Sequence, residues 1–449
     1  MSSQDIFTLT VTGDVIQTRP ILPYEGTDCD FDRLLQTLRQ SDATVGNLEV
    51  LVHDFEGYPA ATSGGTYMRS PPTVLDDLES VGFDLFSAAT NHTFDYSHGG
   101  VKATIRNLER RQIPYAGIGS TLYEARKPGY VETGAGRVGV VSACTSFPPG
   151  SEAGEQSPAL QGRPGLNPIH VSKVYNVSED ELDRLKTISE TAGIEALKKD
   201  WFDRGLLYGH DWTNEDFFHF GDMKFSTTDG EPGITFHVDN DDLVAWERSI
   251  REATRNADWV VASVHSHQGV NGLGKTSETP EFLADIAHRS VDAGADAVVS
   301  HGPHVLRGVE IYNERPIFYS LGNFVVQNET VSRLPPESFS RYDLTNSRYV
   351  SDVFEERLFN ESGEPKGDLA DDRFWQTVVP VCEFSSDSLE VRLYPCTLQG
   401  EKNRPQRGIP QLATGDKATK ILEQISNLST RFETDIEIER DYGLIRSDL

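Results

Sequence analysis

Phe7-Thr-Leu-Thr-Val-Thr-Gly-Asp14 sets a pattern that the rest of the chain repeats. Apolar residues alternate at Phe7, Leu9 and Val11, the period of a β-strand, and Gly13-Asp14 closes it with a turn and a carboxylate. The same ending recurs along the chain. Ala43-Thr-Val45 runs into Gly46-Asn47-Leu48-Glu49, and Phe83 to Ala89 ends at Asn91-His92, with Asp95 just beyond. Trp259 to Val264 ends at His265 and His267, and Ala297-Val-Val299 ends at His301-Gly-Pro-His304.

Helical spacing fills the gaps: Phe31 to Gln40, Pro72 to Val81, Gly100 to Arg111, Asp241 to Asn256 and Pro280 to Ala293. Further strands are expected at Ile113 to Ala116, Val138 to Ala143 and Pro316 to Ser320. Late strands at Val378 to Phe384 and Leu389 to Tyr394 precede a basic loop and a last helix from Lys417 to about Arg431. Strand, loop and helix in repeated succession predict an α/β class, a sheet covered by helices on its faces. Two stretches break the pattern and read as insertions. Residues 147–240 begin rich in Pro, Gly, Ser and Gln, carry an expected helix from Ser178 to about Trp201, and become aromatic from Asn214 to Phe225. Residues 328–372 are a polar, acidic excursion. Either could serve as a lid or a substrate-facing wall.

With 70 acidic against 41 basic residues, the formal charge is −29. A field of that sign repels nucleic acid and anionic membrane, and a heavily solvated acidic surface accounts for it. No apolar run approaches the ~20 residues of a membrane span. Residues 1–14 show no basic leader, so no signal peptide is read. Cys29, Cys144, Cys382 and Cys396 form no CxxC pair and no disulfide framework; free thiols in a reducing, cytoplasmic setting are expected.

In open α/β sheets ligands gather at the carboxyl ends of strands, so the strand-end residues can meet at one place. Carboxylates suit hard divalent ions, while imidazoles suit Zn, Mn or Fe. The mixed set of Asp14, Asn47, Glu49, Asn91, His92, Asp95, His265, His267, His301 and His304 therefore suits one or two divalent ions in a hydrolytic site. Taken singly, each could merely cap a turn or face solvent; together they point one way. His265 and His267 alternate on a strand, so only one of them is expected to reach the site. The other histidines (His53, His98, His170, His210, His219, His237, His288) lie off strand ends and carry no such expectation. Arg69, Arg163 and Arg307, with the Lys402, Arg404 and Arg407 loop, are candidate anchors for an anionic small molecule or polymer.

Several of these segments resemble one known family. Thr12-Gly-Asp14, Gly46-Asn-Leu-Glu49, Asn91-His-Thr-Phe-Asp95, Val264-His265, His301-Gly-Pro-His304-Val-Leu-Arg-Gly-Val-Glu310 and Tyr319-Ser-Leu-Gly-Asn323-Phe324 look like the CapA family of capsule and poly-γ-glutamate biosynthesis. So does the tail at Leu428 to Thr434. The likeness spans most of residues 5–146 and 241–327 and implies one domain over residues 1–449, elaborated by the two insertions. It also implies kinship with the calcineurin-like metallophosphoesterases, hence a four-layer α/β/β/α sandwich with two metals. By position Asp14 would ligate the first ion, Glu49 or Asn47 would bridge, and Asn91 and His265 would hold the second. His301 and His304 would complete the pair, and His92 would protonate a leaving group. Glu49, where it is not a ligand, would be the general base. Ile16 stands where such dinuclear enzymes carry a histidine, and Asn47 where they carry a bridging aspartate. The implied activity is hydrolysis of a phosphoester or γ-glutamyl amide; the alternative is a non-catalytic, metal-binding accessory protein in polymer synthesis.

Overall fold

The computed structural model describes residues 6–206, 217–344, 346 and 349–448. Among these residues two mixed sheets form the body. The larger runs in the order 437–438, 443–448, 388–397, 376–384, 7–16, 43–48, 85–87, 115–116, with 323–326 beside 7–16 and 411–412 beside 388–397. The smaller has the order 309–312, 315–318, 297–301, 259–265, 136–144, 129–133.

Alternation along the strands sorts the apolar side chains into three cores. Leu9, Val11, Val45 and Leu85 of the larger sheet meet Val140, Val261, Val299 and Phe318 of the smaller one. On the outer face of the larger sheet, Val15, Ile16, Leu48 and Phe324 receive three helices, Cys29–Gln40, Thr73–Val81 and Ser97–Arg111. On the outer face of the smaller sheet, Val260, Ala262 and Val264 receive Trp246 and Ile250 of Asn240–Thr254 and Leu283 and Ile286 of Glu281–Asp292. Each fully buried aliphatic side chain contributes about 1.5–3 kcal/mol, so these clusters carry the stability.

The first insertion is itself ordered where described. Strands Phe218–Phe220, Met223–Thr227, Val171–Val177 and Gly233–Val238 make a separate four-stranded sheet. The single helix expected from Ser178 to Trp201 is two helices, Glu179–Thr191 and Ile194–Asp203, because Gly193 between them adopts φ 80°. The capping box of Ser178 and Glu181 is present. Residues 214–216 of the aromatic stretch, and His210, lie outside the described residues. The second insertion is not merely polar: Phe354 and Leu358 of the helix Val350–Leu358, with Phe374, enter the core beneath the larger sheet. All four cysteines are free, and Cys382 faces Val391 rather than Cys396 across the late strands. None of the described helices is long and apolar enough to cross a membrane.

Candidate metal centre

Parallel register brings the predicted strand ends together. Asp14 stands opposite Asn47 on one side and Asn323 on the other, and His265 stands opposite His301. Between Val11 and Asp14 the strand carries one residue more than its partner, since Val11 faces Val45 and Asp14 faces Asn47. This bulge shifts the alternation by one step, turning Asp14 to the face that Val11 occupies, toward the smaller sheet. Gly13 makes the bulge possible. A Cβ there would lie 2.1 Å from Gly322 O, the carbonyl that accepts from Asp14 N–H at 2.9 Å.

The Asp14 carboxylate is wholly buried and well bonded. Asn47 Nδ2 donates to its Oδ1 at 2.9 Å, and Gly302 N–H donates to Oδ2 at 3.3 Å. His304 Nδ1 lies 3.0 Å from Oδ2 and His301 Nδ1 lies 3.4 Å from Oδ1. Burial alone would raise this carboxyl, but the close approach and charge of His301 and His304 outweigh it and hold the pKa well below the usual range. Asn47 is fixed in turn by Ser87 Oγ, which donates to its Oδ1 at 2.9 Å.

Glu49 behaves oppositely. It too is wholly buried, yet neither of its carboxylate oxygens has a hydrogen-bond partner. Around Oε1 stand Nε2 of His265 at 3.7 Å, of His304 at 3.8 Å, and of His92 and His267 at 4.0 Å. These separations are too long for hydrogen bonds and close to twice a metal–ligand bond of ~2.0–2.2 Å. Burial pushes the Glu49 carboxyl well up, and the Asp14 charge adds to it. Burial likewise holds His265 down to about 3, and His267 well below the normal imidazole value. Nε2 of His265 and His267, Nδ1 of His301 and Oδ1 of Asn91 are also buried without a partner.

The donor set fits a divalent cation. Ligand atoms of Asp14, Glu49 and His265 lie within 4.8 Å of one another, as do those of Glu49, His267 and His304. Glu49 is common to both groups. Asp28, Cys29 and Asp30 form a third such group, but this one caps a helix, with Asp28 accepting from Asp30 N–H and Phe31 N–H.

Most of the predicted residues gather here. Asn91 enters only through its unpartnered Oδ1, because its Nδ2 donates to Gly64 O at 3.0 Å. His92 is oriented by Asp95, whose Oδ2 lies 2.7 Å from Nδ1. The expectation that only one of His265 and His267 reaches the site is corrected: both do. The strand ends at His265, so alternation no longer governs His267, whose backbone N–H donates to Ser146 Oγ at 2.8 Å.

The arginines expected as anchors are engaged within the fold to different degrees. Arg69 is bound to Asp54 and donates to His53 O, and Arg404 and Arg407 are both paired with Glu329. Arg307 is wholly buried, with Nε and Nη2 donating to the carbonyls of Thr276 and Gln268 at 3.0 Å each. Arg163 donates Nε to Glu152 O. Sequence reasoning missed Lys275, whose charge opposes the rise at Glu49.

Residues 8–328 match the family model described as bacterial capsule synthesis protein PGA_cap. The chain belongs to that family. Among its relatives is an uncharacterized protein, y4sH, of Sinorhizobium fredii, 35% identical over 454 residues that cover 98% of this chain and 93% of the relative. The capsule biosynthesis protein CapA of Bacillus anthracis is 27% identical over 365 residues, covering 80% of this chain and 69% of its own length. The PGA biosynthesis protein CapA of Bacillus subtilis is 24% identical over 327 residues, covering 72% and 64%. The PGA_cap match spans every metal-ligand candidate, from Asp14 to His304.

Proposed function

We propose that this PGA_cap member is a metal-dependent hydrolase that cleaves a phosphoester or γ-glutamyl amide bond in the metabolism of a capsule-type polymer. The observation that carries this reading is Glu49, a fully buried carboxylate with no hydrogen-bond donor and four imidazole Nε2 atoms within 4.0 Å. A buried unpaired charge costs several kcal/mol, and a shared cation is the natural partner for this donor set. Asp14, Glu49 and His265 would hold one ion, and Glu49, His267 and His304 a second. Asn47 would then position Asp14, and Asn91 would offer Oδ1.

Bound Mn, Zn or Fe would lower the pKa of a water and polarise the bond under attack. The protein's part is to place that bond beside His92. Asp95 holds its ring by Nδ1 and leaves Nε2 facing Glu49, the atom that would deliver a proton to the leaving group. The order of the three cores, helices on one sheet, sheet on sheet, and helices on the other, supports the four-layer metallophosphoesterase architecture. Phe374, just past the second insertion, meets His304 edge-on and would wall the site on that side.

Elemental analysis of the purified chain and a hydrolysis screen with p-nitrophenyl phosphates and γ-glutamyl peptides, with and without Mn, test the reading. Product release that His92→Ala abolishes while metal stays bound is the expected result. One observation favours a second reading, a metal-binding accessory role. Ile16 is packed in the core under the larger sheet and offers no ligand where dinuclear phosphoesterases place a histidine. Bound metal with no turnover on either substrate class would select that role.

A further inference from the structure

Beside the ligand cluster, on the side where it opens to solvent, stands a cation that no sequence signal marked. His267 is the most exposed of the clustered imidazoles, its side chain 26% accessible, and the loop that follows it carries Lys275. Lys275 Nζ pairs with Asp368 and lies 5.0 Å from the centroid of the Phe374 ring. Phe374 in turn packs edge-on against His304, with centroids 5.9 Å apart. A single aromatic ring thus separates the ammonium from a ligand imidazole.

The loop is built to hold its place. Arg307 grips its two ends, at Gln268 O and Thr276 O, from within the core. Gly269 allows the tight approach between them, since a Cβ there would lie 2.4 Å from Thr276 Oγ1 and 2.2 Å from Leu273 O. Lys275 therefore projects from an anchored backbone. Its partner is held less firmly, because Asp368 sits in the one-turn helix Gly367–Ala370, which has no fully buried residue and touches the core through the partly buried Leu369. Lys275 is 35% and Asp368 26% exposed, so water reaches and screens the pair, and an incoming anion can replace the carboxylate.

We propose that Lys275 is the substrate-binding cation of this site, taking an oxyanion of the substrate, phosphate or carboxylate, and that Asp368 holds its place until substrate arrives. The assignment rests on the hydrolase reading for what happens to the bound molecule, and it stands on its own geometry for binding.

The test is calorimetric titration of the full chain, loaded with Mn, with inorganic phosphate and separately with γ-glutamyl-glutamate. Lys275→Met should weaken the anion that binds about tenfold, and Lys275→Arg should restore most of the loss. Asp368→Asn should tighten it by up to about fivefold, the worth of a solvent-screened pair. Metal content, measured in parallel, should be unchanged in all three variants. Lysine-dependent binding of phosphate alone, or of the dipeptide alone, supports the assignment and tells which oxyanion the site takes. Wild-type affinity in Lys275→Met, or a wild-type chain that binds neither anion, overturns it. Loss of metal from the wild-type chain would sink the hydrolase reading instead, and the phosphate titration of the metal-free chain would still decide the role of Lys275.

Discussion

His304 Nδ1 lies 3.0 Å from the Asp14 carboxylate, joining two residues 290 positions apart. A carboxylate can only accept, so Nδ1 carries the hydrogen and the Nε2 lone pair is left facing Glu49 at 3.8 Å. Asp14 thus sets the tautomer of one ligand while presenting an oxygen of its own. Asp14→Asn should weaken Mn or Zn binding about 10–100-fold, as losing such an orienting carboxylate does elsewhere. Competition against a metal-indicator dye would measure it, and unchanged affinity would contradict the role.

Glu49 gives a prediction with opposite signs in two conditions. Without metal its buried, unpartnered carboxylate is a liability, so Glu49→Gln should be as stable as the wild type or more so. With metal at about 100 times Kd the wild type should gain ~2.7 kcal/mol, and Glu49→Gln little or nothing. Thermal melts with Mn and with chelator separate the cases. A wild-type melting point indifferent to both would count against the metal centre.

Gly13 lies where the Asp14 strand and the Asn323 strand touch backbone to backbone. A Cβ at 2.1 Å from Gly322 O must push the strands apart, so Gly13→Ala should cost about 1–3 kcal/mol and lower metal affinity together. Gly134→Ala, with nothing within 4 Å of its Cβ, should stay within about 0.5 kcal/mol and serves as the control. Denaturant melts of both variants check the pair.

Away from the site, His170 is held between Asp242, at 2.6 Å, and Glu152, at 3.8 Å. The Asp242 bond, then the Glu152 carboxylate close by, raise it to about 10. Because the folded value exceeds the unfolded ~6.5, its contribution is complete below that pH and fades as pH rises toward 10. The ring is half exposed, so solvent screening cuts the contribution to about 1 kcal/mol. His170→Gln should be less stable than wild type at pH 6 and nearly equal to it at pH 9.5. A gap that does not narrow with pH would contradict the assignment.

Strand ends were legible in the sequence because chemistry and periodicity coincide there: Asp14, Asn47, His265 and His301 each follow a run that can only be buried strand. Their meeting was legible too, because parallel strands put their carboxyl ends on one edge. The bulge before Asp14 was not, as Thr12 and Gly13 look like any strand end. His267 was misread by extending alternation one step past the last paired residue. Short strands such as 129–133, 309–312 and 323–326 were missed, being too brief for periodicity to register. The partners of Arg69, at Asp54, and of Arg404 and Arg407, at Glu329, were not legible, because nothing in the sequence marks those carboxylates as the ones the fold brings near. Lys275 was invisible for the converse reason. A single lysine in a glycine-rich loop carries no signal until the loop is placed beside His304.

Anomalous diffraction from crystals of the chain grown or soaked with Mn would locate the ions. One or two peaks are expected within ~2.0–2.3 Å of a Glu49 oxygen and of Nε2 of His265, His267 or His304. A chain that takes up Mn only at surface carboxylates, leaving Glu49 without an ion, would contradict this placement.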